Sequence, residues 1–152
     1  MGITVSVKVE GETTVPVEER TDGKPLADIV AGWIWFPEVV NVLGLQRATV
    51  EALKRLDTTI YGGSEEEAKA AWQAPAVAKA ALEELRATMQ RLRDDPILRE
   101  KARHVSEGKW AKYFEDSWLS EWAEAYDTGT EDALKVCDWA AARNKRVAFV
   151  ST

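Results

Sequence analysis

"KWAKYFEDSWLSEWAEAYD", residues 109–127, sets three tryptophans, one phenylalanine and two tyrosines among carboxylates. Whether those rings line a core or face a partner decides how the rest of the chain folds around them. At 100° per residue with Phe114 at zero, Ala125 falls at about 20°, Trp118 at 40°, Ala111 at 60°, Trp122 at 80°, Tyr126 at 120° and Leu119 at 140°. One apolar face results, and Asp116, Ser120 and Glu124 point away from it. The spacing predicts a helix over residues 108–126 whose ringed face is core, since each large ring hidden from water contributes about 1.5–3 kcal/mol.

Glu115 is the odd member. It falls near about 100° on the same wheel, between Trp122 and Tyr126. A carboxylate among rings either meets a cation or keeps its proton, because its charged form loses hydration. It therefore reads as the partner of a buried arginine, a raised-pKa acid, or a ligand-binding carboxylate in a Trp-lined pocket. Glu121, at about −20°, borders the same face.

Downstream, Thr130, Glu131 and Asp132 read as the start of a last helix ending near Asn144, with Leu134, Cys137, Ala140 and Ala141 as its apolar stripe. Trp139 lies off that stripe, near Lys135 and Asp132. It fits either a groove under the N-terminal hairpin or an exposed contact position, where Trp is a frequent hot spot. "RVAFV" at 146–150 reads as a strand.

Upstream, residues 3–10 alternate apolar and polar, "EGE" at 10–12 offers a turn, and Val15 and Val17 continue the alternation as a hairpin with Pro16 on an edge strand. "RTDGKP" at 20–25 is a turn, and Ile29, Val30, Trp33 and Ile34 recur at helical spacing. Pro37 opens a short helix that Gly44 closes. Ala48, Ala52, Leu53 and Leu56 share a helical side, "YGG" at 61–63 breaks the chain, and Ser64 restarts it. Ala78, Leu82, Leu85, Met89 and Leu92 form the next stripe, and Asp95–Pro96 is an N-cap and first-turn pair for "PILREKARH". The fold class expected is α+β: a small, mostly antiparallel sheet, made of an N-terminal hairpin plus a C-terminal strand, covered by about five to seven helices in a single domain over residues 1–152.

The chain has 152 residues, 45% hydrophobic and 30% charged, and seven tryptophans. A net charge of −6 argues against general affinity for nucleic acid or anionic lipid, whose phosphates repel it, and is compatible with a basic partner. Cys137 is the single cysteine, so no internal disulfide forms, and a cytoplasmic location is expected. "MGITVSVKVEG" shows neither a basic n-region nor an apolar core of a secretory signal. "MGITVS" fits the loose myristoylation pattern, but its alternation reads as a strand.

Catalytic and metal signatures are lacking. His104 is the only histidine, without a second imidazole or nearby cysteine to complete a zinc site. Cys137 falls on its helix's apolar side, where thiols are inert. GxSxG, GK[ST] and GxGxxG do not occur, and "YGGS" lacks a phosphate-cradling lysine. The stretch 86–104 is locally basic, with Arg86, Arg91, Arg93, Arg99, Lys101 and Arg103, yet interspersed acids make it a charge-paired helix face or the positive half of a homodimer contact.

The function expected is a small soluble protein-binding factor (an inhibitor, immunity or phage-type accessory protein) rather than an enzyme. It would act through an acidic, Trp-bearing surface, with Trp139, Trp110, Glu121, Glu124 and Glu115 as the binding residues and no cofactor or metal. Two alternatives are a small-molecule-binding protein or hydrolase built on Glu115, and a structural homo-oligomer subunit whose aromatic face is closed by a second copy.

Overall fold

Strand β1 (Val5–Val9) and strand β2 (Val147–Ser151) join the two ends of the chain. They pair antiparallel, with Val5 opposite Ser151 and Val9 opposite Val147. The computed structural model describes residues 5–12, 36–52, 72–106 and 108–151. The expected second hairpin strand around Val15 and Val17, the stripe from Ile29 to Ile34, Leu53, Leu56 and the restart at Ser64 lie outside the described residues. Val7 and Val9 send their side chains into the core beside Val147. A turn follows β1: the Glu12 N–H donates to the Val9 carbonyl at 3.1 Å, and Gly11 holds φ +80°. That φ is the type II turn's third position, which only a residue without Cβ occupies freely. On the other edge of β2, Gln73 forms a two-way bridge to Val147, both N–H···O distances being 2.9 Å.

Helix α1 (Pro37–Leu43) begins at a proline whose missing N–H costs nothing there, and ends at Gly44 in the left-handed region. The Leu45 N–H reaches back to the Val40 carbonyl at 3.2 Å and the Gly44 N–H to Asn41, which closes the end in a Schellman arrangement. Residues 47–52 are helical again. Glu84 receives the Gln46 N–H at 2.9 Å and the Thr49 hydroxyl, so a carboxylate from a neighbouring helix caps this one.

Helix α2 (Pro75–Asp94) carries the expected stripe: Ala78, Leu82, Leu85, Met89 and Leu92 are all buried. Asp95 then stops it and caps helix α3 (Pro96–Val105), accepting from the Ile97 and Leu98 N–H groups at 3.1 Å each. The Arg99 guanidinium folds back onto the last carbonyls of α2, at 3.0 Å from Leu92 and 2.7 Å from Arg93. Arg91 does the same for α1 through the Leu43 carbonyl at 3.1 Å.

The chain departs from expectation around the aromatic stretch. Residues 108–126 are not one helix. Gly108–Phe114 is a 3₁₀ helix, Glu115 is extended (φ −82°, ψ 145°), and helix α4 (Asp116–Ala141) starts after it. In a 3₁₀ helix residues three apart eclipse, which stacks Trp110 on Tyr113 with ring centroids 5.7 Å apart. The turn at Glu115 then brings Trp118 edge-on to Tyr113 at 5.0 Å. α4 also runs straight through the expected break before Thr130. A glycine inside a helix costs about 1 kcal/mol, and packing offsets it here. Thr130, Ala133, Leu134, Cys137 and Ala140 are all buried.

α2 and α4 pack along their length, and the 3–4 alternation of buried positions on each is the pattern of interlocking antiparallel helices. The architecture is α+β, a minor two-stranded antiparallel sheet among helices, with one buried cluster drawing on every described element.

Candidate interaction surfaces

The α2–α4 seam uses much of the local charge. Lys79 meets Asp138 at 2.9 Å, Arg86 meets Glu131 at 2.7 Å and Arg93 meets Asp127 at 3.4 Å. The three cations are seven residues apart, two helical turns each, so they rise along one edge of α2. Asp138 holds Lys79 protonated above the ordinary lysine range by its hydrogen bond. With Arg91 and Arg99 on carbonyls and Arg103 on Glu100, every arginine of the basic stretch has an intramolecular partner. The charge-paired reading of residues 86–104 describes what forms.

Two acids of α4 stay outside this network. Glu121 and Glu124 are exposed, and neither has an ion-pair partner among the described residues. They are one turn apart on α4, and Glu121 is one turn from Trp118. Trp118 and Trp110 are half-buried: each packs against the core on one side and links through Tyr113 to the other. Trp110 thus lies in the 3₁₀ helix, and Glu121 and Glu124 in the first turns of α4, with Glu124 about 120° round the helix from Trp118.

Glu115 sits at that joint too, but in solvent. Its expected place between Trp122 and Tyr126 assumed an unbroken helix, and the extended residue at 115 removes that geometry. The side chains of Trp122 and Tyr126 are outside what is described. Glu115 instead lies near α3, where it adds a minor attraction to Arg103, whose pKa is raised chiefly by its hydrogen bond to Glu100.

Trp139 belongs elsewhere. It is eighteen residues beyond Glu121 on the same helix, about 27 Å at 1.5 Å per residue. Its ring is half-buried against the core, the Arg143 guanidinium covers it at 4.0 Å, and its buried indole N–H has no hydrogen-bond partner among the described residues. The five expected binding residues thus divide into a group at one end of α4 and a lone Trp139 at the other.

A second feature escaped the sequence reading. Ile97 is 70% exposed, and with Pro96, Val42 and Val105 it forms the apolar floor of an open groove of about 580 Å³ between α1 and α3. Glu100, Lys101 and His104 rim it. The signal was legible: Leu98 and Ala102 are the buried side of α3, and Ile97 cannot share it.

Cys137 is buried, and burial pushes its thiol up to about 12. Among the described residues no cluster of His, Cys, Asp and Glu is placed to hold a metal ion, and no helix is long and apolar enough to cross a membrane. No protein-family model, curated protein or solved structure matches this chain.

Proposed function

We propose that this chain is a protein-binding factor, of the inhibitor, immunity or phage-accessory kind, that works in the cytoplasm by docking a basic partner on the region of Trp110, Trp118, Glu121 and Glu124. One observation carries the reading. Asp127, Glu131 and Asp138 of α4 each have a cation on α2, whereas Glu121 and Glu124 are exposed with no ion-pair partner among the described residues, and Glu121 is one turn from the half-buried Trp118. Aromatic anchors surrounded by unpaired charge of one sign are what steered association uses: the rings supply affinity and the charge supplies rate and orientation. Trp139 serves packing at the far end of the helix and is not part of this surface. The chain's net charge of −6 acts in the same direction.

The test is affinity capture from the native cell with the tagged chain, with wild type and Glu121→Lys/Glu124→Lys compared by mass spectrometry. A basic protein retained stoichiometrically by the first and lost by the second supports the reading. Equal retention by both refutes the surface. Purified partner then gives the salt dependence: association slowed tenfold or more between 50 mM and 300 mM salt is expected for steering of this kind.

A further inference from the structure

The outer rim of the α1–α3 groove has a pattern of its own. Ile97, Glu100, Lys101 and His104 stand at i, i+3, i+4 and i+7, one stripe along the exposed side of α3. Lys101 is exposed and without an ion-pair partner among the described residues. Glu100 is held by Arg103 at 2.5 Å, an arrangement that keeps the carboxylate ionised by lowering its pKa. The stripe therefore has an apolar end at Ile97 and, at its centre, opposite charges on adjacent residues.

We infer that α3 is a self-association face: a second copy of this chain packs its own α3 antiparallel across the groove, about a two-fold axis between Glu100 and Lys101. In that register Glu100 of each copy faces Lys101 of the other, giving two reciprocal ion pairs, and Ile97 of each copy covers the groove beside the other's His104. An isologous contact requires such self-complementarity, and a stripe with adjacent opposite charges at its centre satisfies it. A parallel arrangement would set like charges together. α3 is about 15 Å long, so the contact falls below the ~1,200 Å² that stable complexes bury. The dimer is correspondingly weak.

Sedimentation equilibrium on the full chain, from 10 μM to 1 mM, reads the association. Wild type should dimerise over that range. Lys101→Glu alone places acid opposite acid, Glu100→Lys alone places base opposite base, and each should weaken association at least tenfold. Mixed one to one, the two variants restore both ion pairs and should associate with each other as tightly as wild type does with itself. Ile97→Asp, at a site exposed enough to leave folding intact, should also abolish the dimer. A wild type that stays monomeric at 1 mM overturns the inference and leaves the groove to some other protein. So does self-association that Lys101→Glu leaves unchanged, or a mixture that fails to associate; circular dichroism of each variant confirms that folding is not the cause.

Discussion

Replacing Phe114 by alanine tests the centre of the fold directly. The side chain is 2% exposed and sits at the last position of the 3₁₀ helix, where the chain turns into α4. Truncating a buried phenylalanine removes its transfer free energy and leaves a cavity that the surroundings fill only in part, a loss of about 3–5 kcal/mol. With a urea slope near ~2 kcal/mol per molar, the midpoint should fall by about 1.5–2.5 M with the slope unchanged. Phe114→Leu keeps most of the volume and should cost about 1 kcal/mol, so it stays folded for comparison even where the alanine variant does not. The edge-on contact between Tyr113 and Trp118, 5.0 Å between centroids, gives a second reading of the same joint. A double-mutant cycle on that pair should return a coupling of about 0.5–1.5 kcal/mol. A midpoint shift below about 0.5 M for Phe114→Ala would show that the ring does not hold the core, and the whole account of residues 109–127 as a structural keel would fail.

Asp95→Ala removes the acceptor of the Ile97 and Leu98 N–H groups and should cost about 1 kcal/mol in chemical denaturation, with Asp95→Asn close to wild type. Glu84→Ala leaves the helix at 47–52 without its borrowed cap; a loss of about 1 kcal/mol and faster amide exchange at residues 46–49, with α2 unchanged, are expected. The Cys137 thiol should be silent toward aromatic disulfide reagents at pH 8 in the native chain and react at once in urea. Because its pKa is about 12 folded against 9.0 for a free thiol, the stability this group contributes is intact below pH 9 and declines as pH rises toward 12. Glu10 behaves with the opposite sign: the bond from Arg146 holds its carboxylate below the usual 4.5, so the clamp at the end of the β1–β2 sheet is complete above that value and weakens as pH falls below it, readable as earlier exchange of the Glu10 amide in acid.

Local rules carried much of the fold. The α2 stripe, the Pro37–Gly44 helix and the Asp95–Pro96 boundary each follow from one strong signal, a 3–4 apolar period, a proline at a first turn or a cap with a single physical meaning, and alternation placed the two terminal strands, whose antiparallel register the fold supplies. The failures lie where tertiary packing outweighs local preference. An α-helical wheel cannot reveal that Trp110, Tyr113 and Trp118 pack best if the chain winds tighter and then bends at Glu115, since the reward lies in ring contacts across that bend. Likewise Thr130, Glu131 and Asp132 signal a fresh helix start only to a reader who cannot see α2 lying alongside. The candidate site suffered from the first error. Placing Glu115 on an unbroken wheel made it the buried anomaly, whereas it is exposed, as are Glu121 and Glu124, which have no ion-pair partner among the described residues.

The distribution of ion pairs explains why these surfaces remain. A chain with 26 acids and 20 bases has too few cations to satisfy every carboxylate. The fold places Lys79, Arg86 and Arg93 along α2, where they steady the seam with α4, and turns Arg91 and Arg99 onto helix ends. Arg93 reaches Asp127 rather than Glu124, which leaves Glu124 facing water. Lys101, outside the seam, is the cation that stays open on α3. The two proposed faces thus lie on two helices and carry charge that the seam does not use. Substitutions at distant sites without shared partners add. Glu121 and Glu124 variants should therefore change partner binding without altering the dimer, and Glu100 and Lys101 variants the reverse. Strong coupling between the two sets would mean that one partner covers both faces, and the division into a docking surface and a self-association surface would have to be abandoned.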